Sequence, residues 1–276
     1  MQREMWLSDR RRFGYKRRVA VELFEATPIA TIVLDRPKAN TFDVDQLAAL
    51  QEVFDRAVAL PGVRALVLRA AGDIAFSAGA DLGATGPLAE PGGLERWTRA
   101  ARHLLDGIAA SPVPIVAALR RPAVGGGFEL ALACHFRVMA ADAHLSLPEI
   151  DRGYLPSWGA VERLVPLIGP ARTAELMATG RRVSADEALS LGLVHRVVED
   201  AEAGARDLAE TLATKPPLAL RALLAQVAQA SSLSRDTVDA LRSRELADLE
   251  QLVRTEDTVE GVMAFFEKRR PLFKGR

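Results

Sequence analysis

From residue 19 the chain alternates between apolar and polar side chains, first in VAVELFEA and then, across a Thr-Pro turn, in IATIVLDR. Alternation with period two predicts two half-buried strands joined as a hairpin-like start. The period then changes. After the turn-forming Arg36-Pro37-Lys38-Ala39-Asn40, the residues Leu47, Leu50, Val53, Phe54 and Ala57 recur at helical spacing, and Asp43 is placed to cap that helix. Residues 63–69 (VRALVLR) are a compact buried-strand pattern, and residues 76–82 (FSAGADL) a small-residue loop leading into a Gly- and Pro-rich stretch up to Gly93. A helix is expected over 94–110, a strand over 113–119, and a Gly-rich turn at Gly125 that opens a helix over 128–134. Strands follow at 136–140 and 144–147, then a loop from Pro148-Glu149 to near Trp158. Short helical segments cover 161–167, 171–179 and 184–190, the last with a capping box from Ser184 and Glu187, before a final strand at 194–198. Beyond residue 200 the pattern is helical only, over 201–213, 217–230, 234–252 and 258–269.

Repeated strand–helix units imply a parallel sheet, because parallel neighbours need helical crossovers. The chain therefore divides into a basic N-terminal extension (1–18), an α/β core (19–199) and a helical C-terminal region (200–276), with no fixed-period repeat. At 276 residues, 49% of them hydrophobic, it has enough apolar surface for one sizeable core. Its 36 basic and 36 acidic residues balance, so no global field would gather nucleic acid or an anionic membrane, and neither partner is expected. The first 18 residues are basic but carry no apolar stretch of a secretory signal, and no run of 18 apolar residues occurs, which makes the cytoplasm the expected location. Cys134 is the sole cysteine and sits in an apolar run, as a buried small residue would. His103, His135, His144 and His195 show no metal-ligand spacing, so neither a metal nor another cofactor is expected.

Three clusters carry candidate chemistry. Phe76-Ser-Ala-Gly-Ala-Asp81 follows a buried strand, and its small residues let a ligand approach the backbone, although a tight turn with Asp81 as a cap would look the same. Ala123-Val-Gly-Gly-Gly-Phe-Glu129 places glycines between strand and helix, where free N–H groups at a helix start suit a developing negative charge. It matches neither Gly-x-Gly-x-x-Gly nor a phosphate loop ending in Lys-Ser/Thr. The third cluster is the pair Glu129 and Glu149. Glu129 lies on FELALAC, which is apolar on nearly every side, so burial and a raised pKa suited to acid–base work are expected of it.

In order along the chain, LDRPKAN (34–40), AFSAGADL (75–82), VGGGFELALAC (124–134), LPEIDRGYLP (147–156), TGRRVSADEALSLGLVHRVV (179–198) and the terminal FFEKRRPLFKGR together resemble the crotonase superfamily of enoyl-CoA hydratases and isomerases. The resemblance implies a spiral of ββα units, a helical C-terminal trimerisation region, and a homotrimer or a dimer of trimers. It implies an acyl-CoA substrate, coenzyme A being part of the substrate and no cofactor needed. By position, Ala80 and Gly126 match the two oxyanion-hole N–H donors, and Glu129 and Glu149 match the two catalytic glutamates of the hydratases. Lys38 and Ala39 match the turn beside the CoA adenine and ribose, and Ala78, Asp81 and Leu82 lie in the loop that meets the substrate. Phe266 and Lys268 fall in the segment used near CoA, sometimes from a neighbouring subunit, although Phe266 equally fits a core helix position.

Two departures stand out: Arg121 where many hydratases have glycine, and Pro156-Ser-Trp-Gly-Ala-Val161 in place of Pro-Gly-x-Gly-Gly-Thr. The second puts the bulk of Trp158 beyond the Glu149 loop, as a structural residue or as a wall of the acyl pocket. The expected activity is hydration of a 2-enoyl-CoA. The alternatives are another enolate reaction on an acyl thioester (decarboxylation, isomerisation, dehydration or C–C hydrolysis) and a non-catalytic RNA-binding or scaffold protein on the same fold.

Overall fold

The computed structural model describes residues 20–81, 83, 92–153, 155–230 and 255–276. Leu82, the N-terminal extension and the helix expected over 234–252 lie outside the described residues. The chain opens with β1 (Val21–Phe24) and β2 (Ile29–Leu34), which pair antiparallel as the alternation predicts. Next comes α1 (Val44–Ala59), where the Asp43 side chain accepts from the Gln46 N–H, a cap generally worth about 1 kcal/mol. Strand β3 (Ala65–Ala70), helix α2 (Gly93–Ala109) and strand β4 (Ile115–Leu119) continue the crossover pattern. The site region holds β5 (Ala123–Val124), α3 (Gly126–Ala133), β6 (Phe136–Ala140) and β7 (His144–Ser146). After them run α4 (Ala160–Thr179), β8 (Val183–Ser184), α5 (Ala185–Ser190) and β9 (Arg196–Val198). The described C-terminal helices are α6 (Ala201–Ala213), α7 (Pro217–Ala230) and α8 (Glu256–Glu267).

Six strands form one sheet in the order β1-β2-β3-β4-β6-β9, parallel from β2 onward, and β5, β7 and β8 form a second, smaller sheet. Strand alternation sorts the core. Leu66, Leu68 and Ala70 join the main cluster with Leu47 of α1, Leu104 of α2 and Phe128 of α3, whereas Ala65 and Val67 face Ala205 and Ala209 of α6 across the sheet. The helix α6 approaches closely because its contact residues are small; a Cβ at Gly204 would already lie 3.0 Å from Val198 and 3.1 Å from Val138. The architecture is thus mixed α/β with helices following the core.

The two helices expected over 161–167 and 171–179 are the two arms of α4, separated at the non-helical Gly169 (φ 78°, ψ 163°) between Pro166 and Pro170. Three local expectations change. The segment after Leu147 is not plain loop: Pro148–Arg152 winds as a 3₁₀ helix, Pro148 presetting its first turn. The helix expected from Phe128 starts two residues earlier, at Gly126. Strands β5 and β8 have two residues each, too short to carry a period of their own.

Candidate active site

Three chain segments lie side by side where strands β2, β3 and β4 give way to loops. The turn after β2 is shaped by Asn40 (φ 51°), whose side chain accepts from Arg36 N–H and donates to the carbonyls of Ala71 and Ala75. The loop after β3 then runs along it like a strand. Ala78 N–H donates to Ala39 O, Phe42 N–H to Gly79 O, and Asp81 N–H to Phe42 O, each at 2.8 Å. On its other side, Phe76 N–H donates to Pro122 O and Val124 N–H to Ser77 O, both at 2.9 Å. Arg36 locks the set from below, ion-paired at 2.6 Å to Asp43 and 2.9 Å to Asp81 with only 4% of its side chain exposed. This backbone pairing places Lys38 and Ala39 beside Ala78, with Lys38 exposed, and fixes Asp81 through Arg36.

The pairing leaves the Ala80 N–H directed away from the ladder, because the bonds flanking it use Gly79 O and Asp81 N–H. The Gly126 N–H opens α3 and, like the first N–H groups of any helix, has no intrahelical acceptor. The two loops touch at this point. Gly79 takes φ +76°, and a Cβ there would lie 2.6 Å from the Gly126 nitrogen. Two backbone donors are therefore held next to each other with neither hydrogen-bonded among the described residues.

Each glycine of the triplet accommodates a different neighbour. A Cβ at Gly125 would meet Glu149 Oε1 at 2.6 Å, one at Gly126 the Trp158 ring at 2.3 Å, and one at Gly127 the Ser77 carbonyl oxygen at 2.2 Å. The triplet is thus where the loop after β3, the Glu149 segment and Trp158 converge. Both glutamates are shut away from solvent, Glu129 at 2% exposure and Glu149 at 6%. Glu129 Oε1 accepts from Trp158 N–H at 2.8 Å and Ala160 N–H at 3.0 Å, while Glu149 Oε2 has no partner among the described residues. Burial is the main cause that pushes the Glu129 carboxyl up to about 7; the Glu149 charge adds to it, and the two N–H groups and Arg163 oppose it. Burial likewise raises Glu149 above the usual carboxylate range. Such a pair, beside two free backbone donors, can exchange protons, Glu129 near neutral pH, with a molecule whose carbonyl oxygen the donors hold.

Trp158 is 3% exposed and stands edge-on to Phe42 and Trp97, with ring centroids 6.0 and 5.4 Å away. It is both a core residue and the side chain packed on Gly126. Lys268 is exposed (φ 53°), and Phe266 belongs to α8. The segment after α8 is tied to Asp257 through the Lys274 and Gly275 N–H groups and to Arg64 through Phe273 O. Arg64 precedes β3 whereas the loop carrying Ala80 follows it, so these contacts do not bring Lys268 to the glutamates within the chain. Cys134 is buried and burial pushes its thiol up to about 12, as an inert core residue requires. Sequence pattern alone did not reveal Arg36 as the lock beneath the loops, nor Arg163 against the turn that holds Glu129. The one available signal for Arg163 was a cation in the first turn of α4, where the helix dipole disfavours it.

Comparison with known proteins places the chain among relatives of one family and fold. The family described as enoyl-CoA hydratase/isomerase matches residues 25–276. The carnitinyl-CoA dehydratase of Escherichia coli O157:H7 is 40% identical over 257 residues, spanning 90% of this chain and 95% of that protein. Among solved structures, an enoyl-CoA hydratase from Bacillus anthracis superimposes with a TM-score of 0.87 at 33% identity, over 93% of this chain and 99% of that one. An enoyl-CoA hydratase/carnithine racemase from Magnetospirillum magneticum gives a TM-score of 0.83 at 30% identity, over 93% and 96%.

Proposed function

The chain belongs to the enoyl-CoA hydratase/isomerase (crotonase) family of acyl-CoA enzymes, and on that footing we propose that it reversibly adds water across the double bond of a 2-enoyl-CoA thioester. The observation that carries this reading is the pair of buried, electrostatically interacting carboxyls, Glu129 and Glu149, with Glu149 against Gly125, next to the backbone donor of Gly126. The thioester oxygen accepts from Ala80 and Gly126 N–H, which stabilise the enolate formed when hydroxide adds at C3; donors fixed in this way are typically worth several kcal/mol. Glu129, oriented by the Trp158 and Ala160 N–H groups, takes the proton from the attacking water, and Glu149, with Oε2 unpartnered, delivers one to C2. Hydroxyl and proton together make one water, so no redox partner is needed. Lys38 and Ala39 flank the CoA nucleotide, and Ala78 and Asp81 line the thioester end. Trp158 walls the acyl group, and Phe266 and Lys268 meet CoA from a neighbouring subunit.

The reverse reaction, dehydration of a hydroxyacyl-CoA, uses the same groups, and the name of the 40% identical relatives favours it as a working direction. Assembly as a homotrimer or dimer of trimers is part of the proposal, supported by exposed apolar side chains on α4 and α8 such as Val161, Leu167, Val259 and Met263. No helix among the described residues is long and apolar enough to cross a membrane, in keeping with a proposed cytoplasmic site of action. The test is a panel of 2-enoyl-CoA thioesters, followed by loss of the conjugated-enoyl absorbance with products identified by mass. Glu149→Gln should lower kcat on the order of 10²- to 10⁴-fold. Hydration that survives Glu149→Gln and Glu129→Gln unchanged removes the mechanism. Hydration lost in Glu149→Gln alone points to a one-carboxylate enzyme of the family.

A further inference from the structure

Glu129 is oriented by a turn that is itself held from behind. The peptide unit joining Gly159 and Ala160 is gripped at both ends: its N–H donates to Glu129 Oε1 at 3.0 Å, and its carbonyl accepts from Arg163 Nη1 at 3.3 Å. A peptide unit is planar, with N–H and C=O pointing in opposite directions, so fixing one end aims the other. The same Nη1 also holds Trp158 O at 3.0 Å. The opposite limb of the guanidinium, Nη2, reaches across to α2 and meets Asp106 Oδ1 at 2.6 Å, while Glu162 lies 3.3 Å from Nη1. Only 13% of the Arg163 side chain is exposed, although it occupies a helix start where a cation is unfavourable.

We propose that Arg163 is a positioning residue for Glu129: its guanidinium anchors the turn at residues 158–160 to Asp106 of α2 and so aims the N–H groups of Trp158 and Ala160 at the carboxylate. The catalytic consequence rests on the hydratase reading; the positioning does not. Hydrogen bonds in series polarise one another, so a cation at the carbonyl end strengthens the N–H end as a donor to the carboxylate. The charged groups bearing on Glu129 are Glu149 from the 3₁₀ helix and Arg163 from α4, with Asp106 paired to Arg163 on its far limb and Glu162 on the limb that holds the carbonyls. Burial, foremost, and Glu149 keep the proton on Glu129; the Trp158 and Ala160 N–H groups and Arg163 favour its release. Removing Arg163 therefore acts in one direction, both by loss of charge and by loss of aim: the Glu129 proton becomes harder to remove.

The experiment uses the full chain with Arg163→Met, Arg163→Lys and the wild type, each also combined with Glu129→Gln. The pH at which the stability gap between each protein and its Glu129→Gln counterpart stops widening marks the midpoint of the folded-state Glu129 titration, without needing turnover. In the Met background that midpoint should rise by roughly one pH unit, the low end of the effect of a neighbouring opposite charge, with Lys in between. The rising limb of kcat against pH should move with it, and kcat near neutrality should fall about fivefold as the ionised fraction of Glu129 drops, while KM for the thioester stays within about twofold. A midpoint unmoved in both variants, with only the melting temperature lowered, overturns the proposal and leaves Arg163 as a brace between α2 and α4. Should the Met variant not fold, the Lys variant alone decides. If the wild type hydrates no enoyl-CoA, the hydratase reading falls, and the stability titration still settles the role of Arg163.

Discussion

Replacing Glu129 by Gln separates what the carboxyl does for turnover from what it costs the fold. Burial moves this group from 4.5 to about 7. At about 1.4 kcal/mol per pH unit, the folded chain carries a penalty of about 3 kcal/mol once Glu129 is ionised. Between those two values the folded protein keeps a proton that the unfolded chain has released. Stability contributed by this site is therefore complete below about pH 4.5 and is lost as pH rises through 7. Gln cannot ionise, and its side-chain oxygen can still accept from the N–H groups of Trp158 and Ala160. The variant should match the wild type closely below pH 5 and exceed it by up to about 3 kcal/mol at pH 8. Over the same range it should lose on the order of 10²- to 10⁴-fold in kcat. Urea unfolding of both proteins at pH 5 and pH 8, with enoyl-CoA hydration measured on the same preparations, tests both halves. A stability gap of the same size at the two pH values would refute the reasoning, because it would mean that Glu129 does not titrate in between.

Other outcomes follow from the loops around it. Gly79→Ala forces a side chain into a left-handed conformation and against the Gly126 nitrogen, so kcat should drop by at least about tenfold in a protein that still folds; unaltered turnover would show that the two donors need not be so close. Trp158→Ala removes the ring on Gly126 and should raise the ratio of kcat/KM for long over short 2-enoyl chains by roughly tenfold or more. A constant ratio across chain lengths would leave Trp158 as core alone. Light scattering at micromolar concentration should give three or six times the 29.8 kDa chain mass, and a monomer contradicts the assembly.

What could be read from the chain, and what could not, follows the range of the interactions. The period-two run of β1, the Asp43 cap and the apolar run around Glu129 are local patterns, and each reappears in the structure. Strand β2 forms but is buried on both faces, because β1 and β3 flank it and helices cover the sheet, so its expected half-burial does not hold. Burial of Glu129 was legible because every neighbour on α3 is apolar. The two-residue strands β5 and β8 exist only through their pairing with β7, which no window of sequence displays. Arg36 was seen only as part of a turn, since its partner Asp81 lies 45 residues away. Trp158 was noticed as bulk out of place, but its seat on Gly126 and against Trp97 depends on how α2 and α4 cross above α3. Arg163 acts on carbonyl groups, which all residues share, and so leaves no residue-type signature at its target.

The donors at Ala80 and Gly126 are backbone groups fixed by backbone pairing with the neighbouring loops. Under the proposed function, the part of the molecule that holds the thioester is therefore encoded as a shape and not as a set of side chains. On that reading a small-residue exchange at position 78 or 80 would leave the grip intact, whereas the identity of the acyl group would depend on side chains such as Trp158 that stand outside it. Descendants of such a chain can drift from one thioester to another by changing a few wall residues, without ever passing through a form that has lost its hold on the carbonyl.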